Sequence, residues 1–449
     1  MENISTTFYG QKTRKTHSKA PRILLYLMFV VLMIDLMPGL GLGFGLGLSA
    51  KNLFLYLLLI LIAIRIALQP SGLRLVDLDI HIPYLVLMAY AALTWAISTI
   101  FDPTYNSIRG AISFKNQLVD LYLFFFVFRY GIHRSEDYIW LLKAILVTLI
   151  ISSLITLIDF FNIPDLGIIG EHKGRLEGPI GAANQYGALL AFLIPVCIGF
   201  MPRDTKRIGR YFWVTGILIM AALLVATGSR GALVAIIGGS ILSVIYLRHY
   251  LNMRLVITYG TLSLILLVAV AAVVLIVYPE LAQERLEKTT SGSLETASSG
   301  RLSIWRAALL VMLEWPVSFL VGYGWNAYEA SGIWKSAHNE YLDRMFELGT
   351  IGLSINLYLL YVLVSRTRRL LSDSSENMRR LQIGYIFAVL IMFVDIFFVA
   401  IPDPWTVIWV ITGLLFGLQS LVETNGQSAE DPTLKDSDQI ENKHGLKRA

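Results

Sequence analysis

Residues 298–352 read SSGRLSIWRAALLVMLEWPVSFLVGYGWNAYEASGIWKSAHNEYLDRMFELGTIG. This stretch closes the longest hydrophilic interruption between apolar runs, and its composition separates it from everything around it. Arginines, glycines and aromatic residues crowd a segment that ends on a histidine and then enters a new apolar run. Leu302 to Trp315 places Leu302, Trp305, Leu309 and Met312 at helical spacing, and Pro316 stops the pattern. A helix that short and that charged cannot cross a bilayer, so it is expected to lie in the membrane interface or pack over a helical bundle. Ahead of it, Arg285 to Gly300 is low-complexity Ser, Thr and Gly.

Outward from this stretch the chain is membrane. Of 449 residues, 55% are hydrophobic and only 15% charged, and the mean hydropathy is +0.63, which excludes a soluble domain. Runs of roughly 20 apolar residues suffice to cross a hydrocarbon core about 30 Å thick. Such spans are predicted at 23–37, 51–68, 82–100, 111–128, 138–160, 180–200, 211–228, 231–247, 255–278, 345–364, 382–401 and 405–421. The expectation is therefore an all-α integral membrane protein of about twelve transmembrane helices. Its segments are a tail (1–22), nine spans (23–278), one large loop (279–344), three spans (345–421) and a polar, aperiodic tail (422–449) that reads as disordered. The apolar run after Arg22 looks superficially like a signal peptide, but no A-x-A-like site follows and it is read as a retained span.

Loop charges test the count, because cytoplasmic loops gather Lys and Arg. With the amino terminus inside, the short inner loops hold fifteen: Arg65, Arg74, Arg129, Arg134, Arg203, Lys206, Arg207, Arg210, Arg248, Arg254, Arg366, Arg368, Arg369, Arg379 and Arg380. The short outer loops hold five: Lys51, Arg109, Lys173, Arg175 and Arg230. Both termini are thus expected in the cytoplasm and the large loop outside. The net charge of +5 is accounted for by this orientation, not by nucleic-acid binding. Cys197 is the single cysteine, so no intramolecular disulfide and no cysteine metal site is expected.

Three outer arginines are candidates for gripping an anion: Arg230 in a short Gly-flanked turn between spans, Arg301 after Gly300, and Arg175, which Glu171 and Glu177 could pair instead. A fixed guanidinium suits a phosphate ester held bidentately. The plainer alternative is an interfacial arginine snorkelling to water. His338, with Ser336 as expected helix cap, is predicted to sit in a first helical turn, whose positive end keeps imidazole neutral as a general base requires. An ordinary hydrogen-bonded interfacial histidine fits the same spacing. Tyr323, Trp325, Tyr328 and Trp334 offer flat rings for sugars, though such residues also gather at membrane interfaces without a ligand. Glu340, Arg344 and Glu347 read as helix salt bridges. Asp77-Leu78-Asp79 resembles a metal and nucleotide-sugar motif but stands on the cytoplasmic side. Lys115, Asp120 and Asp395 are among the charges within or beside spans, a functional hint that snorkelling near span ends also explains.

In order along the chain, Ser229-Arg230-Gly231, Gly300-Arg301 with Trp305, Gly322-Tyr323-Gly324, His338-Asn339-Glu340-Tyr341-Leu342 and Glu347-Leu348-Gly349 resemble the O-antigen ligase and polymerase superfamily of bacterial envelope glycosyltransferases. The resemblance implies a C-type glycosyltransferase architecture in the bacterial inner membrane, active on the periplasmic side. It implies transfer of an undecaprenyl-pyrophosphate-type lipid-linked glycan, with inversion and without metal or cofactor, to a hydroxyl of a glycan or lipid A-core acceptor. It puts pyrophosphate binding on Arg230 and Arg301 and acceptor activation on His338. Arg175, Tyr323, Trp325 and Tyr341 join them as substrate-binding candidates. Ligase and polymerase remain alternatives, and a multispan transporter or flippase also fits twelve spans. The chain lacks the paired interrupted spans of inverted repeats.

Overall fold

The computed structural model describes residues 22–36, 43–45, 48–68, 77–132, 134–160, 171–172, 175–201, 207–254, 272, 298, 300–330 and 337–430. In chain order the elements are α1 (Arg22–Leu36), the strand pair β1 (Gly43–Gly45) and β2 (Leu48–Ser49), α2 (Ala50–Leu68), α3 (Leu78–Phe101), α4 (Ser107–Phe114) and α5 (Asp120–Tyr130). Then come α6 (Ser135–Phe160), the hairpin β3 (Glu171–His172) and β4 (Arg175–Leu176), α7 (Ala183–Phe200), α8 (Arg207–Ala226) and α9 (Arg230–Leu247). The chain ends with α10 (Arg301–Glu314), α11 (Ser318–Val321), α12 (Ala327–Ala330), α13 (Glu340–Arg369), α14 (Glu376–Asp395) and α15 (Pro404–Glu430).

Among the described residues ten helices are long and apolar enough to cross a membrane, counting α4 and α5 as the continuous unit Ser107–Tyr130. They fall on ten of the twelve predicted spans. The first predicted span is a shorter apolar helix, Ile23–Ile34, and the span at 255–278 lies outside the described residues. The bundle is all-α and multispan. Its lipid-facing character shows in exposed apolar side chains such as Ile60, Ile82 and Ile245 on α2, α3 and α9, where apolar surface suits hydrocarbon and not water. The helices α7, α9 and α14 pack closest. A side chain at Gly384 would meet the Pro195 carbonyl oxygen at 2.4 Å, and one at Gly239 would meet the Ile391 backbone, as small residues permit between membrane helices.

The amphipathic helix of the large loop is present as α10, with a shifted stripe. Ile304, Ala308 and Met312 are buried while Leu302 and Leu309 are exposed; the inward face packs on Tyr328, Ala337 and Phe346. Trp305 is half-buried and its indole donates to the Ala337 carbonyl, 2.8 Å away.

Helix α13 is broken at Gly349 (φ 64°, ψ −170°). The break leaves the carbonyls of Phe346 and Glu347 without helical donors, and the amides of Tyr323 and Gly324 supply them, both at 2.8 Å. Ser98 of α3 donates in turn to the Tyr323 carbonyl at 2.7 Å. The segment Gly322–Gly324 is thereby clamped between α3 and the start of α13. A side chain at Gly349 would stand 2.2 Å from the Leu320 carbonyl oxygen, and its backbone region is nearly glycine-only, costing about 1–3 kcal/mol for another residue. Gly349→Ala is therefore expected to lower the melting temperature of the purified protein and its yield. An unchanged melting temperature would show that the break tolerates a side chain.

At the other end of α13 lies a buried charge network. Asp77 bonds both Arg129 and Arg366, Arg366 reaches Asp79 at 2.7 Å, and Arg129 donates to Ser420 at 2.7 Å. Asp77 is fully buried and committed to these arginines. The Asp77-Leu78-Asp79 pattern is thus an inter-helix lock joining α3, α5, α13 and α15. Removing one partner from such a network leaves an uncompensated buried charge.

Candidate active site

Arg230 is the first residue of α9. Ser229 caps the helix, its hydroxyl accepting from the Ala232 amide at 3.4 Å, and Gly228 takes the left-handed φ of 58° that the turn needs. The first turn of α9 presses on the end of α14. A side chain at Gly231 would lie 2.5 Å from Phe398 Cβ and 3.6 Å from an Asp395 carboxylate oxygen. The Arg230 side chain itself is exposed.

Arg301 opens α10 behind Gly300, whose φ is 77°. It is half-buried. Burial lowers its pKa, the charge of Arg230 lowers it further, and Asp395 opposes both; as a guanidinium it stays charged at neutral pH. His338 feels the same group. Its pKa is lowered from the ordinary histidine value, first by partial burial and then by Arg301, although the residue as a whole is exposed. Arg301 on α10 thus stands within electrostatic reach of Arg230 on α9, His338 before α13 and Asp395 at the end of α14.

Two stitches hold His338 to Asp395. The Glu340 amide donates to the Ile396 carbonyl at 2.8 Å, and the Tyr341 hydroxyl donates to the Phe393 carbonyl while its ring meets Phe393 edge-on. Asp395 is buried, and neither carboxylate oxygen has a hydrogen-bond partner among the described residues. The sequence marks Asp395 only as one charge among several within or beside spans. Its placement against the first turn of α9 depends on the pairing of α9 with α14, which no local pattern encodes.

Several expectations change. Asn339, not Ser336, caps α13, its side chain accepting from the Leu342 amide at 3.1 Å; Ser336 lies outside the described residues. His338 therefore precedes the cap, in a left-handed conformation with φ 51°, and is not in the first turn. The depressed pKa stands, but burial and Arg301 cause it. Trp325 and Tyr328 are not exposed rings in a wet loop: each is 1% accessible, and the Arg344 guanidinium lies 4.5 Å over the Trp325 ring. Tyr323 is half-buried, stacks on Phe346 and donates to the Val311 carbonyl at 2.7 Å. Trp334 lies outside the described residues. Arg175 donates to the Thr227 carbonyl at 3.0 Å and to Asn184 at 2.6 Å, so it braces the turn that presents Arg230.

Glu340, Arg344 and Glu347 form the expected helix pairs, at 3.7 and 3.1 Å. They are more than surface pairs. All three face inward, and Glu340 also accepts from the Trp405 indole at 3.0 Å. Among the described residues no group of three or more His, Cys, Asp or Glu is arranged to hold a metal ion.

Residues 215–357 match a family model described as O-antigen ligase. Over those residues the chain is similar to the O-antigen ligase family. The matched segment contains Arg230, Arg301, Tyr323, Trp325, His338 and Tyr341, and leaves Arg175 outside. No curated protein matches the chain. The family indicates an O-antigen ligase or polymerase type of function in a multi-pass membrane protein.

Proposed function

We propose that the protein transfers a polyprenyl-pyrophosphate-linked glycan to an acceptor hydroxyl on the outer face of the bacterial inner membrane, as an inverting, metal-independent, O-antigen ligase-like enzyme. The observation that carries this reading is Arg301, whose charge is felt by His338 on one side and which itself feels Arg230 and Asp395. Two like charges brought together beside partly buried protein repel each other, and an anion between them relieves the repulsion. A lipid pyrophosphate is such an anion and an activated leaving group. The protein then has to neutralise the departing charge, hold the anomeric carbon and take one proton from the acceptor. In this reading Arg230 and Arg301 bind the pyrophosphate, His338 takes the proton, and Arg175 braces the arginine turn. In this reading both termini are cytoplasmic and segment 279–344 is periplasmic, which the charge asymmetry of the loops supports.

The test is reconstitution of the purified protein in vesicles with lipid-pyrophosphate glycan and a lipid A-core acceptor. A new glycosidic bond to the acceptor is expected. Elongation of donor glycans on one another would assign a polymerase, and glycolipid crossing the bilayer with no bond formed would assign a flippase. Ser298→Cys in a Cys197→Ala background is expected to react with an impermeant thiol reagent from outside intact cells. Labelling only after the cytoplasmic face is opened would overturn the orientation.

A further inference from the structure

A polar cavity lies away from Arg230 and Arg301. It encloses about 410 Å³ between α2, the α4–α5 unit and the start of α15, with Lys51, Ser113, Asn116, Gln117, Asp403 and Thr406 on its walls. That volume is within the roughly 300–1,000 Å³ typical of small-molecule sites. One wall is a π-helical turn, Lys115–Val119, set into the Ser107–Tyr130 span. Such turns re-aim side chains and occur often at functional sites. Asp120 fixes this one: it accepts from Lys115 at 2.8 Å, from Tyr56 at 2.8 Å and from Asn52. With the anchor occupied, the amides of Asn116 and Gln117 are presented to the cavity.

The cavity leads toward α13. Gln117 and Pro402 also line a neighbouring space of about 90 Å³ whose other walls include Asn326, Glu340, Arg344 and Glu347, and Arg344 donates to Gln117 at 3.3 Å. Glu340 stands two residues from His338. Two polar groups along this track have no partner among the described residues: the Ser113 hydroxyl, and the Asn326 amide nitrogen on a residue only 5% accessible and held at φ 60°. A buried donor without a partner is costly, and a ligand acceptor in the smaller space would satisfy it.

We infer that this track binds the saccharide of the acceptor. The inference rests on the glycan-transfer reading above and adds a site to it. Amides, hydroxyls and carboxylates alternate along the walls, which suits a ligand whose every hydroxyl both donates and accepts. The acidic groups along the track are largely matched by cations, Asp120 by Lys115 and Glu340 and Glu347 by Arg344, which suits a neutral saccharide. The track also reaches α13 from α2 and α4–α5, whereas the arginines stand on α9 and α10, so acceptor and donor approach His338 from different elements.

The test uses the full-length protein in nanodiscs, with core oligosaccharide released from the producing strain's own envelope as the acceptor probe. Asn116 is exposed at the cavity wall and its side-chain oxygen accepts from Lys115 at 2.9 Å. While Lys115, Tyr56 and Asn52 still hold Asp120, Asn116→Trp fills space and removes that one bond. It is expected to raise the acceptor KM by about tenfold or more and to leave the donor KM within about twofold; Asn116→Ala should raise the acceptor KM less. Unchanged constants in both variants would overturn the inference, and a rise in donor KM instead would assign the cavity to the donor glycan and overturn it equally. A second readout needs no turnover: Asn116→Cys in a Cys197→Ala background should be protected from a thiol reagent by the oligosaccharide. If the wild type transfers nothing, the transfer reading fails, yet protection would still establish a saccharide site. Absence of protection at oligosaccharide concentrations up to solubility would remove the site as well.

Discussion

Replacing His338 by alanine is expected to slow glycan transfer by about 10²- to 10⁴-fold, the usual contribution of a general base, while binding of the lipid-linked donor survives. The separation follows from geometry, because donor binding is assigned to guanidinium groups on α9 and α10 and the proton acceptor stands on the loop before α13. The pH dependence has a definite sign. Only neutral imidazole accepts a proton, so the rate falls as pH drops through the His338 pKa. Burial and Arg301 both push that pKa below the ordinary histidine value of about 6.5, which puts pH 7 on the active plateau and the acid limb below pH 6.5. Arg301→Gln removes one of the two causes and should move the limb upward at saturating donor. Initial rates across pH, with donor binding measured in parallel, check all three expectations. An alanine variant within a few-fold of wild type would show that His338 positions substrate and that another group or water takes the proton. The same conclusion follows if the variant loses donor binding in proportion to rate.

Ten of the spans were legible because a membrane helix writes itself locally, as an unbroken apolar run of sufficient length. The candidate site residues stand out for a different reason: glycine beside arginine at span ends, and a histidine expected in a first helical turn, suggest backbone turns that hold a polar group in place. What sequence could not supply was the pairing of elements. Asp395 belongs to the arginine cluster because α14 lies against α9. Trp325 and Tyr328 are buried because the break at Gly349 folds the Gly322–Gly324 segment back onto α13, and aromatic composition alone reads the same in a wet loop and in a packed one. The histidine's low pKa was anticipated with the wrong cause, since one residue of register separates a first helical turn from the position before the cap. Basic residues expected in solvated loops, Arg129 and Arg366, prove to be buried partners of Asp77. A charge count records where such residues fall in the chain and carries nothing about what they touch.

Arg230→Lys and Arg301→Lys should each lower kcat/KM for the donor on the order of 10²-fold, comparable to loss of one preorganised donor at a developing negative charge. Lysine keeps the charge but replaces a planar fork by a point donor, so it cannot span two pyrophosphate oxygens. The two variants should differ in character. Arg301 is half-buried at the start of α10, where a shorter reach leaves the ammonium partly desolvated, and its replacement should also alter the pH limb of His338. Arg230 is exposed at the start of α9, so its loss should appear chiefly in donor affinity. Arg175→Lys supplies the contrast. It forfeits the bonds to the Thr227 carbonyl and to Asn184 that brace the Arg230 turn, so its effect should be smaller and accompanied by a lower melting temperature. Steady-state kinetics with donor varied, at equal amounts of folded protein, decide the matter: near-normal turnover in both Arg230→Lys and Arg301→Lys would return these arginines to the role of interfacial residues snorkelling to water, and the anion site would have to be sought elsewhere on the outer face.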